Sequence, residues 1–161
     1  MYEKFGEFDS VEELNKAAAG LKAEGDLESL KELAEENGID KFDTEDYING
    51  DAETLATLIT AALGKLEKEI ESMKQDQVKA MCVFYANFVK TVITENEQVA
   101  AGIMKKGARI KGIYDAIYEY AQKHKSGRCF SGATTDRQDK ELVTAYYTGK
   151  NLEELFDKWF S

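Results

Sequence analysis

Residues 10–38 read SVEELNKAAAGLKAEGDLESLKELAEENG, and this stretch decides the fold. Ser10 followed three residues later by Glu13 is a capping box, in which each side chain satisfies a backbone N–H at a helix start. Leu14, Ala17, Ala18 and Leu21 then recur at helical spacing until Gly25. Asp26 starts a second helix whose apolar face is Leu27, Leu30, Leu33 and Ala34, and Asn37-Gly38 ends it. The same start and stop signals recur along the chain, and none of its 161 residues is proline. The expected fold class is therefore all-α, a compact single domain of about eight or nine helices.

Working outward, Asp43 is expected to cap a short helix through Tyr47 and Ile48, closed by Gly50. Residues 1–50 then form a small acidic N-terminal helical subdomain, and residues 51–161 form a helical core. Asp51 is expected to open a longer helix carrying Leu55, Leu58, Ile59, Ala62, Leu63, Leu66 and Ile70. Lys and Glu alternate at its outer end, Lys65 to Lys74, which predicts exposure. From about Gln77, the stripe Val78, Met81, Cys82, Tyr85, Phe88, Val89 and Val92 predicts the central core helix. A short helix with Val99, Ile103 and Met104 ends at Gly107. Another runs from about Ala108 through Ile110, Ile113, Tyr114, Ile117, Tyr118 and Ala121. Residues 126–135, SGRCFSGATT, read as a mobile loop. Thr135 or Asp136 caps a helix with Leu142, Val143, Tyr146 and Tyr147, and Asn151 caps the last one, through Leu155, Phe156, Trp159 and Phe160. No sustained strand alternation and no internal repeat is present.

Composition narrows the function classes. Apolar residues make up 43% of the chain, enough for a core, and no apolar run approaches the roughly 20 residues that span a bilayer. Met1 to Phe8 lack the basic and apolar regions of a signal peptide, which predicts a cytoplasmic protein. Cys82 and Cys129 read as reduced thiols. The formal net charge is −10, and it is unevenly placed: Met1 to Asp76 hold 21 carboxylates against 8 lysines, whereas Gln77 to Ser161 carry a net +3.

Catalytic chemistry has little to stand on. His124 is the only histidine, sits at a helix end among lysines, and there complements the helix dipole while facing solvent. No partner residues for a zinc site or a catalytic triad surround it. Cys129 lies beside Arg128, which favours a thiolate, but no base is oriented toward it. The spacing of Gly102, Gly107 and Gly112 fits no phosphate-binding motif. The segment DKFDTEDYINGD, residues 40–51, lacks the glycine and glutamate that a calcium loop needs at its sixth and twelfth positions. No catalytic residue, metal ligand, cofactor or small-molecule substrate is expected. The recurring aromatics Tyr114, Tyr118, Tyr120, Tyr146, Tyr147, Phe156 and Trp159 read mainly as core, with base stacking as the alternative.

Two charged surfaces remain as candidates for binding. One is the acidic face bearing Glu28, Glu32, Glu35 and Glu36, where carboxylate arrays can imitate a nucleic-acid backbone. The other is the basic cluster Lys105, Lys106, Arg109 and Lys111, continued by Lys123, Lys125 and Arg128, which could neutralise phosphates. Plain solvation of charged helix faces is the alternative for both.

The run MKKGARIKGIYDAIYEYAQKH, residues 104–124, followed by TDRQDKELVTAYYTG, residues 135–149, resembles the PcfK-like proteins of bacterial mobile elements. The opening MYEKFGEFDS and the segments AEENGID and DTEDYING are similar to phage-borne members. The 126–135 loop departs from the family pattern. That family includes a type II-A anti-CRISPR that inhibits Cas9. The resemblance therefore implies a mobile-element protein acting in a bacterial host cell, which binds Cas9 or its guide-RNA complex and blocks target DNA binding or cleavage. Two modes stay open for that contact: the acidic helices enter a DNA-binding groove, or the basic cluster grips the guide RNA. The alternative is a nucleic-acid-binding accessory protein of a conjugative element or prophage. Neither reading involves a membrane.

Overall fold

Capping chemistry sets the helix boundaries. In a computed structural model that describes residues 1–125 and 132–160, the described residues form nine helices and no strand. Helix α1 (Val11–Glu24) starts at Ser10, whose hydroxyl accepts from the Glu13 N–H at 3.2 Å. Glu13 reaches back one residue further than a strict capping box would, to the Asp9 N–H at 2.9 Å. Helix α2 (Leu27–Glu36) is capped by Asp26, and Gly25 and Gly38 close the two helices with positive φ.

Three expected starts move. The helix expected from about Ala108 begins at Lys111. Helix α3 (Lys41–Asn49) is capped by Asp40, which leaves Asp43 inside the first turn as a carboxylate near the positive end of the dipole. Helix α4 (Leu58–Ser72) begins at Thr57, whose hydroxyl and that of Thr60 form a reciprocal box, and not at Asp51. Residues 51–57 have no helical structure and meet α1 at Ala56 instead. The Asn15 amide holds them there like a strand partner: it donates to the Ala56 carbonyl at 2.9 Å and accepts from the Ala56 N–H at 3.0 Å. This pairing buries Leu55 and Ala56, and their burial offsets the loss of two helical turns.

Beyond α4 the chain continues as α5 (Gln77–Val92), α6 (Glu97–Met104), α7 (Lys111–His124), α8 (Asp136–Tyr147) and α9 (Leu152–Phe160). Helix α4 packs on α6, α5 packs on α8, and α8 also touches α6, α7 and α9. Thr135 caps α8 through a reciprocal box with Gln138, and the Asn151 side chain accepts from the Glu153 N–H at 3.0 Å to start α9. Residues 126–131 of the expected loop, which include Arg128 and Cys129, lie outside the described residues. Cys82, Tyr85 and Val89 of α5 are buried, so this helix lines the core as its apolar stripe requires, while Val83 and Phe84 face out. One continuous apolar cluster runs from Val11 of α1 to Phe156 of α9. The acidic N-terminal helices join it where the backbone after α2 meets α4 at Gly38 and Gly64. A side chain on Gly64 would collide with the Asn37 and Gly38 carbonyls.

Candidate functional site

The Lys/Glu-rich end of α4 was expected in solvent, yet Lys65 and Glu69 are both about 5% exposed. Ala61, Ala62, Lys65, Leu66 and Glu69 share the buried side of the helix, at intervals of three and four residues. Each charge meets an opposite helix end. Lys65 Nζ donates to the Met104 and Lys105 carbonyls, at 3.2 and 2.7 Å, where α6 ends. Glu69 accepts from the Ile110 and Lys111 N–H groups where α7 begins. Helix α7 has no side-chain cap of its own, and Glu69 supplies one from a neighbouring helix. A cation at a helix C-terminus and an anion at an N-terminus both match the helix dipole, which makes their burial tolerable.

The same junction holds the N-terminal segment. Glu7 Oε1 accepts from Arg109 Nη1 at 2.6 Å, Lys65 Nζ at 2.9 Å and the Gly107 N–H at 3.0 Å, while Oε2 accepts from Arg109 Nη2 at 3.0 Å. Asp9 accepts from the Lys106 N–H at 2.7 Å. Burial opposes ionisation of Glu7, but the hydrogen bonds from Arg109, Lys65 and Gly107 overcome it and hold the carboxyl at about 2. Burial dominates at the other two charges: it lowers the Lys65 pKa against the pull of Glu7, and raises that of Glu69 against the N–H groups it accepts from. Tyr2 stacks its ring near the Arg109 guanidinium, and the Tyr146 hydroxyl donates to the Arg109 carbonyl at 2.6 Å.

The four basic residues picked from sequence are therefore close in the chain but unequal in space. Arg109 is bound to Glu7, and Lys111 pairs with Asp115 at 2.5 Å. Only Lys105 and Lys106 extend exposed side chains that form no ion pair among the described residues. Lys123, further along α7, pairs with Glu153 at 3.2 Å. Nothing local in the sequence announces Glu7, because its partners lie up to about a hundred residues away. Lys65 and Glu69 did leave a signal: the buried periodicity of α4 continues through them.

The four acidic residues do share one face of α2, opposite Leu30, Leu33 and Ala34. Lys4 ion-pairs with Glu32, and Glu36 accepts from the Lys4 and Phe5 N–H groups at 3.0 and 3.2 Å. Glu28 and Glu35 are exposed and make no ion pair or side-chain hydrogen bond among the described residues.

Other potential chemistry is muted. The Cys82 thiol is buried, and burial pushes it up to about 11, away from thiolate reactivity. His124 stacks on Tyr120 at 4.0 Å between ring centroids and bonds its Nδ1 to the Tyr120 carbonyl at 2.9 Å. Of the 40–51 acids, Asp43, Glu45 and Asp46 lie on α3, Asp40 caps it and Asp51 follows it, and among the described residues no group of three or more His, Cys, Asp or Glu could hold a metal ion. No helix among them is long and apolar enough to cross a membrane.

Fold and surfaces together define an all-helical domain with a paired, half-buried basic junction and an open acidic helix face. Comparison with known proteins finds no matching family model, no matching curated protein and no matching solved structure.

Proposed function

We propose that this chain is a stoichiometric binding protein, an anti-CRISPR that captures Cas9 or its guide-RNA complex in the bacterial cytoplasm and blocks target DNA binding or cleavage. The outer face of α2 carries this reading. Glu28 and Glu35 stand there unpaired, with Glu32 between them, on a helix that buries only its opposite side. A rise of 1.5 Å per residue separates Glu28 from Glu35 by about 10 Å along the axis, about three base-pair steps of one DNA strand. A Cas9 channel is positively charged because it must hold nucleic-acid backbone. A helix with free carboxylates at that spacing suits such a channel. The resemblance to PcfK-like proteins supplies the partner, and the acidic face supplies the means. The basic cluster is the weaker candidate, because Arg109 and Lys111 already have carboxylate partners within the chain.

The test is a pull-down against Cas9 and Cas12 complexes, with and without guide RNA, followed by a cleavage assay. Capture of a Cas9 complex and inhibition near equimolar ratio are expected. Tight binding to free duplex or single-stranded nucleic acid near physiological salt, with no binding to any effector, would instead establish the accessory-protein alternative.

A further inference from the structure

The turn between α6 and α7 presents an arrangement of donors that the acidic-face reading leaves unused. Lys106 and Gly107 offer consecutive backbone N–H groups, and Gly107 takes φ +80°, the left-handed conformation that lets such groups converge on one anion. The Arg109 guanidinium adds a two-pronged donor and Lys65 an ammonium whose side chain is 6% exposed. These donors are filled from within the chain: Glu7 takes Gly107, Arg109 and Lys65, and Asp9 takes Lys106. Two carboxylates two residues apart are needed to fill it, and a single tetrahedral anion has enough acceptor oxygens to do so alone.

The site is within reach of solvent. The Arg109 side chain is 35% exposed and lies on an open groove of about 520 Å³, which Tyr2, Gly107, Lys111 and Tyr146 also line. Lys105 and Lys106, which precede Gly107 in the chain, are exposed. The segment that delivers Glu7 and Asp9 has no helical structure of its own before Val11.

We propose that this turn, with Lys65, is a phosphate-binding nest that the chain keeps closed with its own Glu7 and Asp9, and that a phosphate-bearing ligand competes with them for it. The N-terminal segment is then a built-in competitor, and the site opens when it lifts. Free phosphate and the backbone of a nucleic acid share the required chemistry. The proposal is independent of whether α2 binds Cas9.

The experiment titrates the 15N-labelled full chain with inorganic phosphate at constant ionic strength, balanced with chloride, for the native sequence and for Glu7→Gln/Asp9→Asn. Removing the two competing charges should tighten phosphate binding by roughly tenfold or more, and adding Arg109→Gln should abolish the gain. A fluorescent single-stranded RNA, followed by anisotropy in parallel, separates the two sources: tighter RNA binding by the variant points to a nucleic-acid backbone, and a gain confined to inorganic phosphate points to the free anion. A variant that melts cooperatively yet binds phosphate no tighter than the native chain overturns the proposal. If the variant does not fold, the native chain decides. Saturable phosphate-specific shifts of the Lys106 and Gly107 amide signals support the nest, and no shift beyond that seen with chloride overturns it.

Discussion

The outer face of α2 and the junction of α4, α6 and α7 are built from the same residue types and behave in opposite ways. At the junction, Glu7, Lys65 and Glu69 are withdrawn from water and Arg109 is part-buried, and each answers a charge or a helix end. On α2, Glu28 and Glu35 answer nothing within the described chain. Buried charges must be matched in place, so they fix how elements meet, whereas solvated ones cost the fold little and remain available to a partner. Net charge alone hides this division. Lys65 and Glu69 belong to architecture, whereas Glu28 and Glu35 stay exposed without a partner among the described residues.

That contrast is open to attack first at Lys65. Replacing it by Ala leaves the α6 carbonyls and part of Glu7 unmatched, and should cost about 3–5 kcal/mol by chemical denaturation. A loss as small as that of a surface substitution would dissolve the distinction. Gly64→Ala probes the docking of the acidic helices on the core. Its new methyl meets the Asn37 and Gly38 carbonyls, and about 1–3 kcal/mol should be lost.

Acid separates the two regions without changing bulk. Glu7 is held at about 2, below its ordinary 4.5, so its contribution is complete above about pH 4.5 and disappears as pH falls toward 2. Glu69 is shifted the other way, so its protonation on acidification relieves a cost. Melting temperature followed from pH 6 downward should therefore fall less steeply for Glu7→Gln than for the native chain. Parallel curves would show that Glu7 is not matched as described. A smaller effect is expected at Thr135→Ala, which removes one helix cap at a cost of about 1 kcal/mol, seen in the same denaturation curves.

Much of the fold was legible from local signals. Ser10, Asp26, Thr135 and Asn151 start helices as their side chains predict, and Gly25 and Gly38 stop them, because capping acts within a few residues. The start of α4 was not legible, since Asp51 looks like a cap and only the distant Asn15 explains why residues 51–57 stay unwound. Alternating Lys and Glu reads the same whether solvated or paired, which is why Lys65 and Glu69 were expected outside. Of the candidate surfaces, the acidic face followed directly from helical spacing. The fate of the basic cluster did not, because Arg109 is matched by a residue at the other end of the sequence.

The central claim is that the free carboxylates of α2 serve binding and not folding. The most direct measurement compares the native chain with Glu28→Lys/Glu35→Lys, recording melting temperature and inhibition of guide-loaded Cas9 on the same samples. Stability should stay within about 1 kcal/mol of native, because neither side chain has an ion-pair partner among the described residues and only Glu28, in the first turn of α2, loses a favourable interaction with the helix dipole, while inhibition is lost. Full inhibition by the reversed protein, or inhibition lost only because the fold is lost, would contradict the account.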